Sequence, residues 1–412
     1  MAVILVGTLD TKHQEYAFVR DLVVAHGLEV VLVDTGVLGP PGLEPDLGAS
    51  AVAEAAGTTL EALRTRGDRG HALAAMAAGA RAVAQDLHAR GRLSGVLALG
   101  GSGGSSIAAT VMRALPVGLP KLLVSTMAAG DVSAYVGTTD VTLMYSVVDV
   151  AGVNSISRQI LSNAAGAIAG MAGAYEARQA ADARPQDKPL VAASMFGVTT
   201  PAVNTARQRL EELGYEVLVF HATGSGGRTM ESLIADGHLA GVLDLTTTEL
   251  ADELVGGVLT AGPDRLTAAA AAGVPQVVSL GALDMVNFGP RSTVPQQFAD
   301  RTLLVHNDAV TLMRTSAAEA AEIGATLGKK LAAASGPAAL HVPRGGLSAA
   351  DAPDGPFWDP EADAAVVAAA LAGVAGSPVD VVESDRHIND PAFATSAADH
   401  LHRLIQGTRN EP

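Results

Sequence analysis

The sequence predicts an α/β fold made of two duplicated domains, each a doubly wound and mainly parallel sheet. Three observations carry that expectation. Short Val/Leu/Ile runs alternate with helix-patterned segments, the same order of parts occurs twice, and Gly- or Thr-rich turns follow the runs at their carboxyl ends. Strands covered on both faces show as unbroken apolar runs, and the helices between them enforce parallel pairing. Domains built this way are Rossmann-like, and they take ligands outside the carboxyl ends of their strands.

In the first copy, strand Val3 to Val6 leads to Gly7-Thr8-Leu9-Asp10-Thr11, a helix near Gln14 to His26, Gly27, and strand Glu29 to Val33 ending in Asp34-Thr35-Gly36. An insertion follows, roughly Gly39 to Gly91, with two Ala-rich helices and a Pro40-Pro41 loop; it carries no readable role. Strand Gly95 to Leu99 then enters the turn Gly100-Gly101-Ser102-Gly103-Gly104-Ser105-Ser106, ahead of a helix-like run from Ile107 to Leu115. Strand-forming residues return at Gly118 to Ser125. In Ser155 to Tyr175 the positions Ile156, Ile160, Ala164, Ile168 and Ala172 recur every fourth residue, giving a helix with a small contact face. Packing inside the domain explains such a face, and a subunit interface is the alternative.

A polar, Pro-containing stretch from Arg178 to Lys188 reads as a linker, so the expected domains are 1–183 and 188–412. The second copy repeats the plan: strand Leu190 to Met195, Phe196-Gly197-Val198-Thr199-Thr200, helix Ala202 to Leu213, Gly214, and strand Glu216 to Phe220 ending in His221-Ala222-Thr223-Gly224. Gly241 to Thr246 answers Gly95 to Gly100, and Gly273 to Ser279 answers Gly118 to Ser125.

Composition narrows the function. At 412 residues the chain can bury two or three cores without a disulfide or metal staple. Cysteine is absent, which excludes a disulfide scaffold, a thiolate metal site and a cysteine nucleophile, and suits a cytoplasmic location. The opening Val3 to Val6 run lacks the basic flank and cleavage site of a signal peptide and is expected to be a strand. Alanine inflates the mean hydropathy of +0.28. Apolar runs stop well short of the roughly 18 residues that a membrane span needs, so a soluble chain with no membrane partner is expected. A net charge of −16 argues against a nucleic-acid partner, since tracking a phosphate backbone requires a surplus of lysine and arginine.

The Gly100 to Ser106 turn carries the clearest chemistry. Glycines let the backbone aim several N–H groups at one point, and the following helix adds its free N–H groups and positive dipole end, the usual means of holding phosphate. No Gly-Lys-Ser/Thr closes the turn and GxGxxG is not met, which disfavours a P-loop NTPase and a common NAD dehydrogenase. A second glycine turn, Thr223-Gly224-Ser225-Gly226-Gly227-Arg228, ends in an arginine at a helix start, a place where a bound anion would offset the unfavourable dipole. Thr246-Thr247-Thr248-Glu249 offers three hydroxyls and an acid, either as helix caps or as ligand contacts, with Glu249 and Asp252 available for Mg²⁺. His221, Glu249 and His387 are the candidate catalytic side chains; His387 lies in Asp385-Arg386-His387-Ile388-Asn389-Asp390, where an aspartate can orient it. HExxH and Cys/His metal spacings are missing, which leaves zinc hydrolase chemistry without support.

These motifs, together with Val124-Ser125-Thr126, Gly130-Asp131, Ser146-Val147-Val148-Asp149, Asp284-Met285-Val286-Asn287-Phe288 and His387-Ile388-Asn389-Asp390, resemble a family of bacterial and plant proteins named for the N-terminal ATP-binding region of the tomato mosaic virus resistance protein. The resemblance runs end to end. It implies two Rossmann-like domains, a homodimer, and ATP on the glycine-rich region, where Gly100, Gly101, Ser102, Gly103, Gly104, Ser105, Thr126, Gly130 and Asp131 are the residues to consider. It implies no particular reaction. An ATP-dependent ligase or phosphotransferase would place a small anionic or carbonyl substrate between the domains, against Thr223, Gly224, Gly226, Gly227, Arg228 and Thr246 to Thr248. A regulatory dimer that ATP stabilises without being consumed, and an isomerase or lyase whose substrate fills the anion site, are the other two expectations.

Overall fold

The structure is a computed structural model and describes residues 1–181 and 188–409. It divides into two compact units, Met1–Pro185 and Gln186–Pro412. Residues 182–187, the middle of the expected linker, lie outside the described residues.

The first unit is built on β1 (Ala2–Gly7), β2 (Glu29–Asp34), β3 (Leu93–Gly100), β4 (Lys121–Ser125) and β5 (Thr142–Tyr145), all parallel, in the order β2-β1-β3-β4-β5. Side chains alternate between two covered faces, which is why the strands read as continuous apolar runs. Val3, Leu5, Leu97, Leu99 and Val124 pack with Tyr16, Val19, Leu161 and Ile168 on one face. Ile4, Val6, Val96, Ala98 and Leu123 pack with Val52, Met76, Ala80, Ile107 and Val111 on the other.

Helix Ser155–Ala180 runs beyond Arg178, where the linker was expected to begin, and packs against helix His13–Ala25 and against β3 and β4. Its buried face holds Leu161, Ala164, Ala165, Ile168 and Ala172, whereas Ile156 at its start is exposed. The insertion forms three helices rather than two: Ala49–Ala55, Leu60–Arg66 and Arg69–Ala89. Thr59 and Asp68 cap the latter two through the N–H groups of Ala62 and His71, and Gly67, with φ +65°, separates them.

The second unit adds β6 (Leu190–Met195), β7 (Glu216–His221), β8 (Gly241–Thr246), β9 (Gln276–Gly281), β10 (Met285–Phe288), β11 (Leu303–Asn307), β12 (Val310–Arg314), β13 (Ala338–Pro343) and β14 (Asp380–Ser384). Six of these make a parallel sheet in the order β14-β13-β9-β8-β6-β7. Read from β7, this is the order of the first unit with one strand added. The remaining three form an antiparallel sheet, β10-β12-β11, that the sequence did not announce. Only Ala282, Leu283 and Asp284 separate β9 from β10, too few residues to mark a second strand in the sequence.

Helices Ala317–Ala332 and Pro360–Val374 pack closely, because a side chain at Gly324 or Gly328 would run into the backbone of the facing helix. No helix among the described residues is long and apolar enough to cross a membrane. In both parallel sheets the strand order reverses beside the first strand, between β1 and β3 and between β6 and β8. A reversal of this kind is where open α/β sheets take their ligands, in a crevice at the carboxyl edge.

Candidate functional site

In the first unit the helix after β3 begins at Ser102, not at Ile107, so Gly103 and Gly104 lie in its first turn. Gly101 precedes it without a side-chain cap, and the N–H of Ser105 is the one that reaches back to the Gly101 carbonyl, at 2.9 Å. First-turn N–H groups have no acceptor within their own helix, so those of Ser102, Gly103 and Gly104 are directed out of its end. At Gly100 a side chain would stand 3.0 Å from the Gly104 backbone, so glycine lets the turn close on itself.

Ser105 is buried, its Oγ 2.6 Å from Ser125 Oγ, a bond into the sheet in place of the ligand contact expected of it. Thr126 is half-buried beside Gly101. Gly130 and Asp131 are exposed, Asp131 accepts the Ser133 N–H at 2.9 Å, and neither lines the cavity described next.

A cavity of about 780 Å³ opens above Gly101 to Gly104. The β1 loop contributes Thr8, Asp10, Thr11 and Lys12, the β2 loop Thr35, Val37 and Leu38, and the β5 loop Asp149. The insertion contributes Leu63, Arg64, Arg69 and Leu73, and so forms a wall of the site. No role for it is readable from the sequence, although a chain leaving β2 at its carboxyl end must begin beside the crevice.

Thr35 is 2% exposed, and its hydroxyl has no partner among the described residues. Asp34, beneath it, accepts the N–H groups of Leu9 (2.9 Å) and Gly36 (2.8 Å), while burial pushes its carboxyl up. Asp10 accepts the Leu38 N–H at 2.9 Å through one oxygen, and the other has no partner among the described residues. Lys12 Nζ donates to the Val150 carbonyl, and Arg64 Nε to the Val37 carbonyl at 2.7 Å. Among the described residues no carboxylate pairs with Arg69, whose guanidinium lies 3.8 Å from where a Cβ on Gly103 would be.

The second unit uses its polar residues differently. Glu249 is fully buried; one oxygen accepts the N–H groups of Gly224 (2.7 Å) and Gly227 (3.1 Å), and the other accepts from Arg265 Nε at 2.6 Å. Arg265, also buried, reaches Asp244 through two nitrogens at 2.6 and 2.7 Å and Glu231 at 3.2 Å. Burial pushes the Glu249 carboxyl up against the pull of Arg265, and the surrounding carboxylates hold the Arg265 guanidinium well above its ordinary value despite burial.

A side chain at Gly227 would collide with Glu249, and one at Gly226 with the His221 carbonyl, so these glycines serve internal packing. Thr246 bonds Ser194 and Thr199, Thr247 donates to the Ser279 carbonyl at 3.0 Å and Thr248 to that of Met285 at 3.3 Å. All three threonines are buried. Asp252 accepts both the N–H (2.8 Å) and the side-chain amide (2.6 Å) of Asn287.

Thus Gly224, Gly226, Gly227, Thr246, Thr247, Thr248 and Glu249 are committed internally, in place of the substrate, catalytic and Mg²⁺ contacts expected of them. Among the described residues no group of three or more His, Asp or Glu side chains is arranged so that it could hold a metal ion. Thr223 is half-buried and donates to the His221 carbonyl at 3.3 Å; Arg228 is exposed and donates to that of Thr260 at 2.8 Å. His221 is exposed at the end of β7.

His387 accepts the Asn389 N–H on Nδ1 at 3.0 Å, which leaves its proton on Nε2, 2.9 Å from the Ser348 carbonyl. Both ring nitrogens are occupied by backbone groups, so the imidazole orients a loop. Asn389 then ties that loop to the Val198 carbonyl and the Ala202 N–H. A further buried cluster sets Arg314 among Asp284, Asp351 and Asp363, with 2.5 Å to Asp363 and 3.9 Å to Asp351. No local motif marks it, since its members come from the β9–β10 turn, the end of β12, the Asp351 loop and helix Pro360–Val374.

Residues 1–177 match the N-terminal domain, and residues 188–405 the C-terminal domain, of Uncharacterised protein family (UPF0261). A UPF0261 protein of Clostridium tetani is 48% identical over 404 residues, spanning 98% of this chain and 99% of its own. One from Rhizobium meliloti is 46% identical over 394 residues, with 95% and 96% covered. The ToMV resistance protein Tm-1(GCR237) of Solanum lycopersicum is 43% identical over 319 residues, which is 77% of this chain and 42% of the tomato protein. With both of its domains matched in order and these identities over most of its length, the chain belongs to the UPF0261 family.

Proposed function

We propose that the first unit binds a nucleotide, with ATP as the expected ligand and its phosphates on the N–H groups of Ser102 to Gly104. The observation that carries this is the cavity of about 780 Å³ over that helix start, at the strand-order reversal. Its size is in the range of small-molecule sites. Its lining sets Lys12, Arg64 and Arg69 among Asp10, Asp68 and Asp149, so cations able to meet phosphate stand beside the loop although the lining as a whole is balanced in charge. Thr35 and the free oxygen of Asp10 offer hydrogen bonds to sugar hydroxyls, and Val37, Leu38, Leu63 and Leu73 offer an apolar wall for a base. The test is calorimetric titration and thermal shift with ATP, ADP, AMP and inorganic phosphate, with and without Mg²⁺. Saturation by ATP with a rise in melting temperature is expected; no heat and no shift from any of the four overturns the proposal.

Binding without consumption is favoured over turnover by one observation. Glu249 and His387, two of the three acid–base candidates, are spent on hydrogen bonds within the second unit. Product analysis after long incubation with Mg²⁺ and ATP decides this, with intact ATP expected.

A further inference from the structure

Gly103 is the third residue beyond the end of β3, and Glu249 is the third beyond the end of β8. The two strands hold the same place in their sheets, so these positions correspond. At the first, the absence of a side chain leaves the helix start open to a cavity. At the second, a carboxylate reaches to the loop after β7 and settles on two backbone N–H groups and a guanidinium. Backbone N–H groups at a helix start beside a fully buried arginine are the donor set that recognises a carboxylate or phosphate, and both are charge-assisted. Glycine at 227 is part of the same arrangement, since the carboxylate occupies the space a Cβ would need. Arg265 in turn is held by Asp244, where the first unit has Ala98.

We infer that the second unit contains an anion site filled by its own Glu249, so that each chain takes one anionic ligand rather than two, and that removing this side chain opens the site to a small oxyanion. The ligand count rests on the nucleotide proposal for the first unit; the opening of the second site does not.

The experiment compares wild type, Glu249→Ala and Glu249→Gln by thermal unfolding in chloride, formate, acetate and inorganic phosphate at matched ionic strength. Glu249→Ala is expected to melt at lower temperature in chloride and to recover several degrees in formate or phosphate, an increment wild type does not show. Should Glu249→Ala not fold in chloride, recovery of soluble folded protein on refolding in formate is the corresponding gain. Glu249→Gln, which keeps an oxygen on the two N–H groups, is expected to fold and to show no such gain. Equal responses of Glu249→Ala and wild type to every anion overturn the inference. ATP titration of wild type is expected to give one site per chain. Two sites overturn the inference while sustaining the nucleotide proposal, and no binding removes that proposal while leaving the anion rescue to decide the second site.

Discussion

The hydroxyl of Tyr16 accepts the N–H of Leu99 at 2.8 Å and donates to the carbonyl of Val6, so one buried side chain joins β1 to β3 just where they part to form the crevice. Its ring lies over Gly7, where any side chain would collide with it. Stability and the shape of the site therefore share a residue. Tyr16→Phe keeps the packing but leaves a buried N–H and a carbonyl without their partner, at a cost of about 1–3 kcal/mol. Chemical denaturation is expected to show that loss, together with weaker ATP binding from the displaced glycine loop.

At Gly103 the expected outcome is the opposite: the fold survives and the ligand is lost. A Cβ there would meet only Leu73 at 3.5 Å and Arg69 at 3.8 Å, both ordinary contacts. An acidic residue in the first turn also suits the helix dipole. Gly103→Glu is expected to melt within a degree or two of wild type and to show no ATP heat in titration, because its carboxylate competes for the N–H groups assigned to phosphate.

The cluster around Arg314 makes the second unit sensitive to pH. Burial raises Asp284 to about 6, and burial together with mutual repulsion raises Asp351 and Asp363. Carboxyl groups raised in the folded state bind protons that the unfolded chain releases near pH 4. The stability they give is fully present below the unfolded value and is lost as pH rises through about 6. Each excess native proton contributes a slope of about 1.4 kcal/mol per pH unit. Asp363→Asn, which removes one member of the crowded set, is expected to flatten the fall between pH 5 and 7, measured as the difference from wild type in urea unfolding at each pH.

How much of this was legible in the sequence follows from how local each feature is. Strands β1, β3, β4, β6, β8 and β9 show in the chain because each is buried along most of its length and needs only its own apolar run, and the edge strands β2 and β7, though partly exposed, keep the same Val/Leu-rich run. The glycine turn shows as well, although Gly103 and Gly104 join the helix sooner than glycine's low helix propensity suggests. Thr246 to Thr248 read as ligand hydroxyls because nothing nearby says that Ser194, Ser279 and Met285, far off in the chain, satisfy them. Glu249 misled for the same reason: its partner Arg265 lies in a segment with no motif of its own. The insertion is the converse case, since its alanines mark helices while its arginines acquire meaning only beside Gly103.

Arg69 is the side chain on which the charge of the ligand is expected to register. It opens helix Arg69–Ala89, where the dipole disfavours a cation, and among the described residues it has no carboxylate partner. A phosphate beside Gly103 would offset that cost. Arg69→Ala is therefore expected to weaken ATP about tenfold, or about 1.4 kcal/mol, to weaken AMP less, and to leave adenosine unchanged. The wild-type preference for ATP is expected to shrink as salt rises, because an exposed arginine is screened, and Arg69→Ala is expected to lose most of that salt dependence. An equal loss for ATP and adenosine would instead mean that Arg69 shapes the apolar wall with Leu73 and leaves phosphate recognition to Lys12 and the loop.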